Sequence, residues 1–246
     1  MSDVPVKAVK KALDLLSLLA FRDPAGVGLT LTGLAGALGL PVTTTHNLLK
    51  TMTVCGYAAQ NGAGRYIAGP QCRSLGILNR VESERFRHQV RGVMNRYTAA
   101  LNEALVFAVL RDGRRVVLAR TEPAGQIIRI DPKEDAAISL YRMPTGRVLA
   151  ALASPEERSK IVAHYGEPGA AWPAHEADRE RIRKSGACIM LADSQGVHAF
   201  AAAVRDSRGT LLGAIGCHAP AFRCDRASQK TIRDGLCAAA SELADA

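Results

Sequence analysis

Cys217 and His218 are adjacent, and a thiol beside an imidazole is raw material for nucleophilic catalysis, the ring taking the proton of the attacking sulfur. The flanking runs VHAFAAAV and LLGAIGCHA have strand composition, however, and neighbours on a strand point to opposite faces, so the pair cannot meet. His164, His175 and His198 stand at spacings with no metal pattern, and none of the six cysteines, at positions 55, 72, 188, 217, 224 and 237, forms a CxxC pair. A GxSxG elbow, a Walker A loop and an HExxH pair are absent, and GAGRYIAG misses the GxGxxG spacing. No catalytic residue, metal ligand or cofactor is expected. The groups that remain are hydrogen-bond donors and acceptors in a run free of acids: Thr43, Thr44, His46, Asn47 and Lys50, followed by Arg65. Hydroxyl, amide, imidazole and cationic groups at helical spacing are what contact base edges and phosphates.

Side chains can read DNA only from an element that presents them. At about 100° per residue, Thr45, Leu48, Leu49 and Met52 fall on one side of a helix and Thr43, Asn47 and Lys50 on the other, with His46 and Thr51 at the margins. Pro41 suits the start of that helix. Ahead of it, Leu31, Leu34, Ala35 and Leu38 share a face, and Gly39 supplies a left-handed stop. A small residue, a glycine four residues on, and a helix with a polar outer face make the helix-turn-helix pattern. YAA at 57–59 and RYI at 65–67 flank the turn-forming NGAG and predict a hairpin, so the unit is expected to be a winged helix-turn-helix with Arg65 on the wing. Val9, Ala12, Leu13, Leu16 and Leu19 give it an amphipathic first helix. Lys7, Lys10 and Lys11 imitate the start of a signal peptide, but Asp14 interrupts the apolar run and no cleavage site follows. Residues 24–49 are uncharged yet too rich in Gly, Pro and Thr for a membrane span.

Composition agrees with a nucleic-acid partner. The chain has 246 residues, 48% hydrophobic and 22% charged, enough for one large or two small domains. Lys and Arg outnumber Asp and Glu by 32 to 23, a formal charge of +9, which favours a polyanion. Between Pro24 and Val81 there is no Asp or Glu, while Lys50, Arg65, Arg73 and Arg80 are present, as counterion release on duplex DNA requires. Only 4% of residues are aromatic, which argues against a base-stacking single-strand binder. Six cysteines without disulfide-scaffold spacing predict a reducing, cytoplasmic setting.

The remainder reads as a linker and a second domain. A linker helix is expected over 71–88, between a DNA-binding domain at 1–70 and an effector-binding and oligomerisation domain at 89–246. Phe86, Val90, Val93, Met94, Tyr97 and Leu101 form one apolar face. ALVFAVL and RRVVLAR flank Asp112-Gly113, a type I′ hairpin signal, and QIIRI follows as another strand. MPTGRVLAAL, PEERSKIVAHY and ADRERIRKSG read as helices, VHAFAAAV and LLGAIGCHA as a second hairpin. A last helix begins near Asp225 and buries Ile232, Leu236, Ala239 and Leu243. Strand meanders with helices on their faces make an α+β domain around an antiparallel sheet.

The segments VKAVKKALDLLSLLA, LTLTGLAGALGLPVTTTHNLLKTMTVCGY, GRYIAGPQCRSLG, MPTGRVLAALASPEE and RIRKSGACIMLADSQGVHAFAAAVRDSRGTLLGAIGCHAP resemble, in order and spacing, the IclR family of bacterial transcriptional regulators. The resemblance implies a GAF-like effector domain, double-stranded operator DNA as partner, a homodimer or homotetramer, no membrane association, and a small organic acid as effector. It places the effector at Thr145, Gly146, Met190, Ala199, Gly216 and His218. Pro144 is expected to leave the N–H groups of Thr145, Gly146 and Arg147 facing a carboxylate. Relatives that bind small hydroxy- or keto-acids carry Asp near Met190, Cys near Ala199 and Ser near Gly216 and His218. Their loss here predicts an enlarged apolar cavity, suited to an acid with an aromatic or bulky apolar body, with His218 as one polar contact. The chain also departs from the family at Gly33, Gly36 and Ala37, where charged residues are usual, and at Val42 and Asn47, where basic ones are. Asn prefers adenine and Arg guanine, so a relative's operator does not transfer. Two other readings compete: a sensor or interaction module with a degenerate DNA-binding head, separable by salt-dependent binding of duplex DNA, and a small hydrolase, which would need a thiol of depressed pKa.

Overall fold

The computed structural model describes residues 5–23, 26–124, 140–192 and 196–244. The chain divides into two compact units, Met1–Arg80 and Val81–Ala246.

In the first unit, α1 (Lys7–Phe21), α2 (Leu31–Leu38) and α3 (Val42–Val54) precede an antiparallel hairpin of β1 (Ala58–Gln60) and β2 (Tyr66–Ala68). The Thr30 hydroxyl caps α2 by accepting from the Gly33 N–H at 3.1 Å, and Gly39 ends it at φ 61° and ψ 34°, a conformation that favours glycine. Threonine is a modest helix former, yet in α3 Thr45, Thr51 and Thr53 donate their hydroxyls back to the carbonyls of Pro41, Asn47 and Leu49. Leu15, Leu19, Leu34, Leu49, Met52, Ala58 and Tyr66 form the core. The α1 stripe differs from expectation. Ala12, Leu16 and Leu19 pack on the core as expected, but Val9 and Leu13 are 55% and 56% exposed and Leu15 is buried in their stead. The apolar residues of α1 span more than one stripe, and the buried one is rotated toward Leu15 from the one expected. Leu29 exchanges backbone hydrogen bonds with Tyr66 at 2.8 and 2.9 Å, adding a third chain segment to the wing.

The helix expected to run on from residue 71 is two helices, α4 (Pro70–Glu82) and α5 (Glu84–Leu101). Ser83 interrupts them and caps α5, its hydroxyl accepting from the Phe86 N–H at 3.2 Å. Phe86 is buried against Phe107 in the second unit.

That unit continues with β3 (Leu105–Arg111), β4 (Arg114–Thr121), α6 (Pro144–Leu152), α7 (Pro155–Tyr165), α8 (His175–Ser185), β5 (Ala187–Met190), β6 (Val197–Arg205), β7 (Leu211–Pro220) and α9 (Arg226–Ala244). The strands form one antiparallel sheet in the order β4-β3-β7-β6-β5. Asp112 and Gly113 take φ of 47° and 74°, as a type I′ turn requires. The β3–β4 register shifts between Phe107 and Ala108. One sheet face is covered by α5 and α9; the other carries α6, with α7 and α8 beyond it. Ala108, Val148, Leu149, Ala201 and Ala214 join sheet to α6. Asp225 caps α9 by accepting from the Ser228 N–H at 2.8 Å, and Ile232, Leu236, Ala239 and Leu243 are buried there. β5 was not anticipated. The strand expected at QIIRI lies outside the described residues. Among the described residues no helix is long and apolar enough to cross a membrane.

Candidate functional site

The first unit offers one polar face. On α3, Thr43, His46, Asn47 and Lys50 are exposed and Thr44 half-buried, while Thr45, Leu49 and Met52 point into the core. The structure therefore gathers the four exposed groups on one helix surface. Arg65, immediately before β2, is also exposed, with a guanidinium N–H directed at the Gly28 carbonyl at 3.5 Å. Sequence reasoning missed Asn61, which shapes the wing tip: its Oδ1 accepts from the N–H groups of Ala63 and Arg65 at 3.0 and 3.1 Å, and its Nδ2 donates to Val27 at 2.9 Å. Asn within a hairpin loop is a turn signal that could have revealed it.

In the second unit the register brings the expected effector residues onto the α6 face. Met190, Ala199 and His218 form one cross-strand row. The neighbouring row runs Cys188, Ala201, Gly216, Val106 and Arg120. Thr145, at the start of α6, lies over Gly216 and accepts a hydrogen bond on its hydroxyl from Arg115 Nε at 2.8 Å.

Two expectations are corrected here. Gly216 leaves no void, because a Cβ there would stand 2.6 Å from the Phe200 carbonyl and 2.8 Å from the Thr145 methyl. Nor do the backbone groups of α6 all face outward. The Arg147 N–H donates to the Met143 carbonyl at 2.9 Å, and a Cβ on Gly146 would stand only 1.9 Å from the Leu140 carbonyl oxygen. Gly146 is required by that close approach.

The cations that replace them were not singled out from sequence. Arg115 and Arg120 lie on β4, and their charges reach His218, whose pKa is lowered from 6.5 to about 4, first by burial and then by the two guanidiniums. A neutral imidazole offers one donor and one acceptor. The arrangement is an apolar sheet face, two cations and an uncharged ring: a surface that can hold an organic anion and orient its body.

No thiol is activated among those that shift. Burial raises Cys188 to about 11 and lifts Cys217 further, and Cys224 and Cys237 are raised too, the opposite of a nucleophilic cysteine. His198 serves the backbone, its Nδ1 accepting from the Ala192 N–H at 2.8 Å. Among the described residues no group of three or more His, Cys, Asp or Glu could hold a metal.

Residues 8–62 match the IclR helix-turn-helix domain, and residues 79–245 match the bacterial transcriptional regulator IclR C-terminal domain. The chain is 24% identical over 220 residues to the HTH-type transcriptional repressor AllR of Salmonella typhi, across 85% of this chain and 79% of that one. Its fold is similar to that of an IclR transcriptional regulator from Alicyclobacillus acidocaldarius, with a TM-score of 0.54, 19% identity and coverage of 98% of both chains. Pseudomonas aeruginosa HmgR gives a TM-score of 0.53 at 23% identity, over 97% of both chains.

Proposed function

The chain belongs to the IclR family of bacterial transcriptional regulators, and from that premise we propose that α3 and the wing grip duplex operator DNA under the control of an organic anion held by Arg115, Arg120 and His218. It has a helix-turn-helix DNA-binding domain and a C-terminal effector domain. The observation that carries the DNA reading is the outer surface of α3, where Thr43, His46, Asn47 and Lys50 stand exposed in a sequence run without acids. Asn47 reads an adenine edge and Lys50 a phosphate. A homodimer or homotetramer presents two such helices to the half-sites of one operator. In operator selection followed by binding titrations, Asn47→Ala loses about 1–3 kcal/mol of discrimination at one A·T pair, whereas Lys50→Ala weakens all sequences alike. Identical operator preference and affinity in both variants would remove α3 from the interface.

The anion reading is supported by the pairing of Arg115 with Thr145 and by the burial and two nearby charges that hold His218 neutral. Ligand biases the populations of DNA-competent and incompetent arrangements by its difference in affinity for them. Arg120→Gln leaves the hydrogen bond between Arg115 and Thr145 in place. In a thermal-shift screen of small carboxylic acids, those that raise the melting temperature of the wild type lose that effect in Arg120→Gln. An equal rise in both proteins would rule the guanidinium out of the site.

A further inference from the structure

Between α7 and α8, away from the sheet-face site, the second unit holds a cavity of about 590 Å³, within the roughly 300–1,000 Å³ range of small-molecule sites. Trp172, Tyr141 and Ile161 form its floor and are 2%, 3% and 1% exposed. The indole is fixed in advance: its Nε1–H donates to Asp178 at 2.8 Å, and the Arg147 guanidinium lies 5.2 Å from the ring centroid. Arg158 of α7 and Arg179 of α8 also line the cavity, and the Nε–H of each is buried without an acceptor. Arg179 shares Glu176 with His175, at 3.6 and 3.0 Å. Glu167, the other carboxylate in the lining, is exposed. The partly buried Arg158 guanidinium has no hydrogen-bond or ion-pair partner among the described residues. Desolvating an unmatched cation is unfavourable, and a carboxylate matches its planar fork with two parallel hydrogen bonds.

We propose that this cavity is a second ligand site, taking a small organic acid whose carboxylate pairs with Arg158 and whose planar apolar body lies over Trp172. Neither Arg115, Arg120, Thr145 nor His218 lines it, so it stands apart from the sheet-face site. An acid bound here acts alongside the one bound there, through α6, which touches both the sheet and α8.

Trp172 is the chain's single tryptophan, so its emission reports on this cavity directly. Benzoate, titrated into the full-length protein, changes that emission saturably, and the neutral isostere benzamide binds at least about tenfold more weakly. Arg158→Gln weakens benzoate by at least about tenfold and Arg158→Lys by less, both with wild-type circular dichroism, because no partner is lost. Arg120→Gln leaves the benzoate titration unchanged. Equal binding of benzamide, an unaltered affinity in Arg158→Gln, or no saturable change in the wild type up to about 10 mM would overturn the proposal. If Arg120→Gln abolishes the emission change, benzoate is acting at the sheet face; this proposal then falls and that one stands. A benzoate response that survives Arg120→Gln, with acid-induced thermal shifts also unaffected, overturns the sheet-face reading alone.

Discussion

His218 ties the stability of the effector domain to pH. Its pKa is about 4 in the fold against 6.5 ordinarily, so between those values the unfolded chain binds the proton and the folded chain does not. Stability supplied by this residue is complete above about pH 6.5 and is lost as pH falls toward 4, by roughly 3 kcal/mol over the whole window. Urea melts from about pH 7.5 to 4.5 should show this loss in the wild type and a shallower one in His218→Gln; parallel curves would place the acid sensitivity elsewhere. The residue was visible in the sequence, but its partners were not. Arg115 and Arg120 reach it from another strand, and no local spacing encodes that approach. Gly146 shows the converse. A glycine at a helix start suggests open N–H groups, whereas here the missing Cβ makes room for the Leu140 carbonyl, a neighbour specified by the preceding turn.

Helices and strands declared themselves where a cap or turn residue punctuated the pattern. Gly39, Asp112-Gly113, Gly186 and Asp225 all mark ends that the structure confirms. Ambiguity entered where a run offered two faces, as in α1, or where a serine cap passed for helix interior, as at Ser83. The glycines of α2 separate in the same way. A Cβ at Gly33 would sit 2.9 Å from the capping Thr30 hydroxyl, but one at Gly36 meets nothing within 4 Å. Gly36→Ala should therefore stabilise the DNA-binding unit by about 0.5–1 kcal/mol through backbone entropy alone, readable in denaturant melts. A loss of stability would mean that an unseen neighbour occupies the space.

For the molecule as a whole, the architecture was legible because charge, turn chemistry and periodicity agree along most of the chain. The acid-free stretch marked the DNA-facing part, and the strand meanders marked the sheet. The sites were less legible, because binding surfaces in the second unit arise where strands far apart in sequence become neighbours. The net charge of +9 predicts affinity for duplex DNA that falls steeply with salt. Arg65→Ala should reduce the slope of log K against log salt by about one without altering operator preference; an unchanged slope would make it a solvated charge on the hairpin.

One irregularity in β4 governs what its two arginines can do. Residues 115 and 120 are separated by an odd number, and in an unbroken strand an odd separation places side chains on opposite sides. The register passes from Phe107 opposite Ala119 to Ala108 opposite Val117, so Leu118 is an uncounted residue that reverses parity. Arg120 thereby rejoins Arg115 on the α6 side. The sheet face owes its second cation to this bulge: if β4 kept all its residues but paired with β3 in unbroken register, Ala119, Arg120 and Thr121 would each turn to the opposite side, whereas deleting Leu118 would leave both arginines on the α6 side.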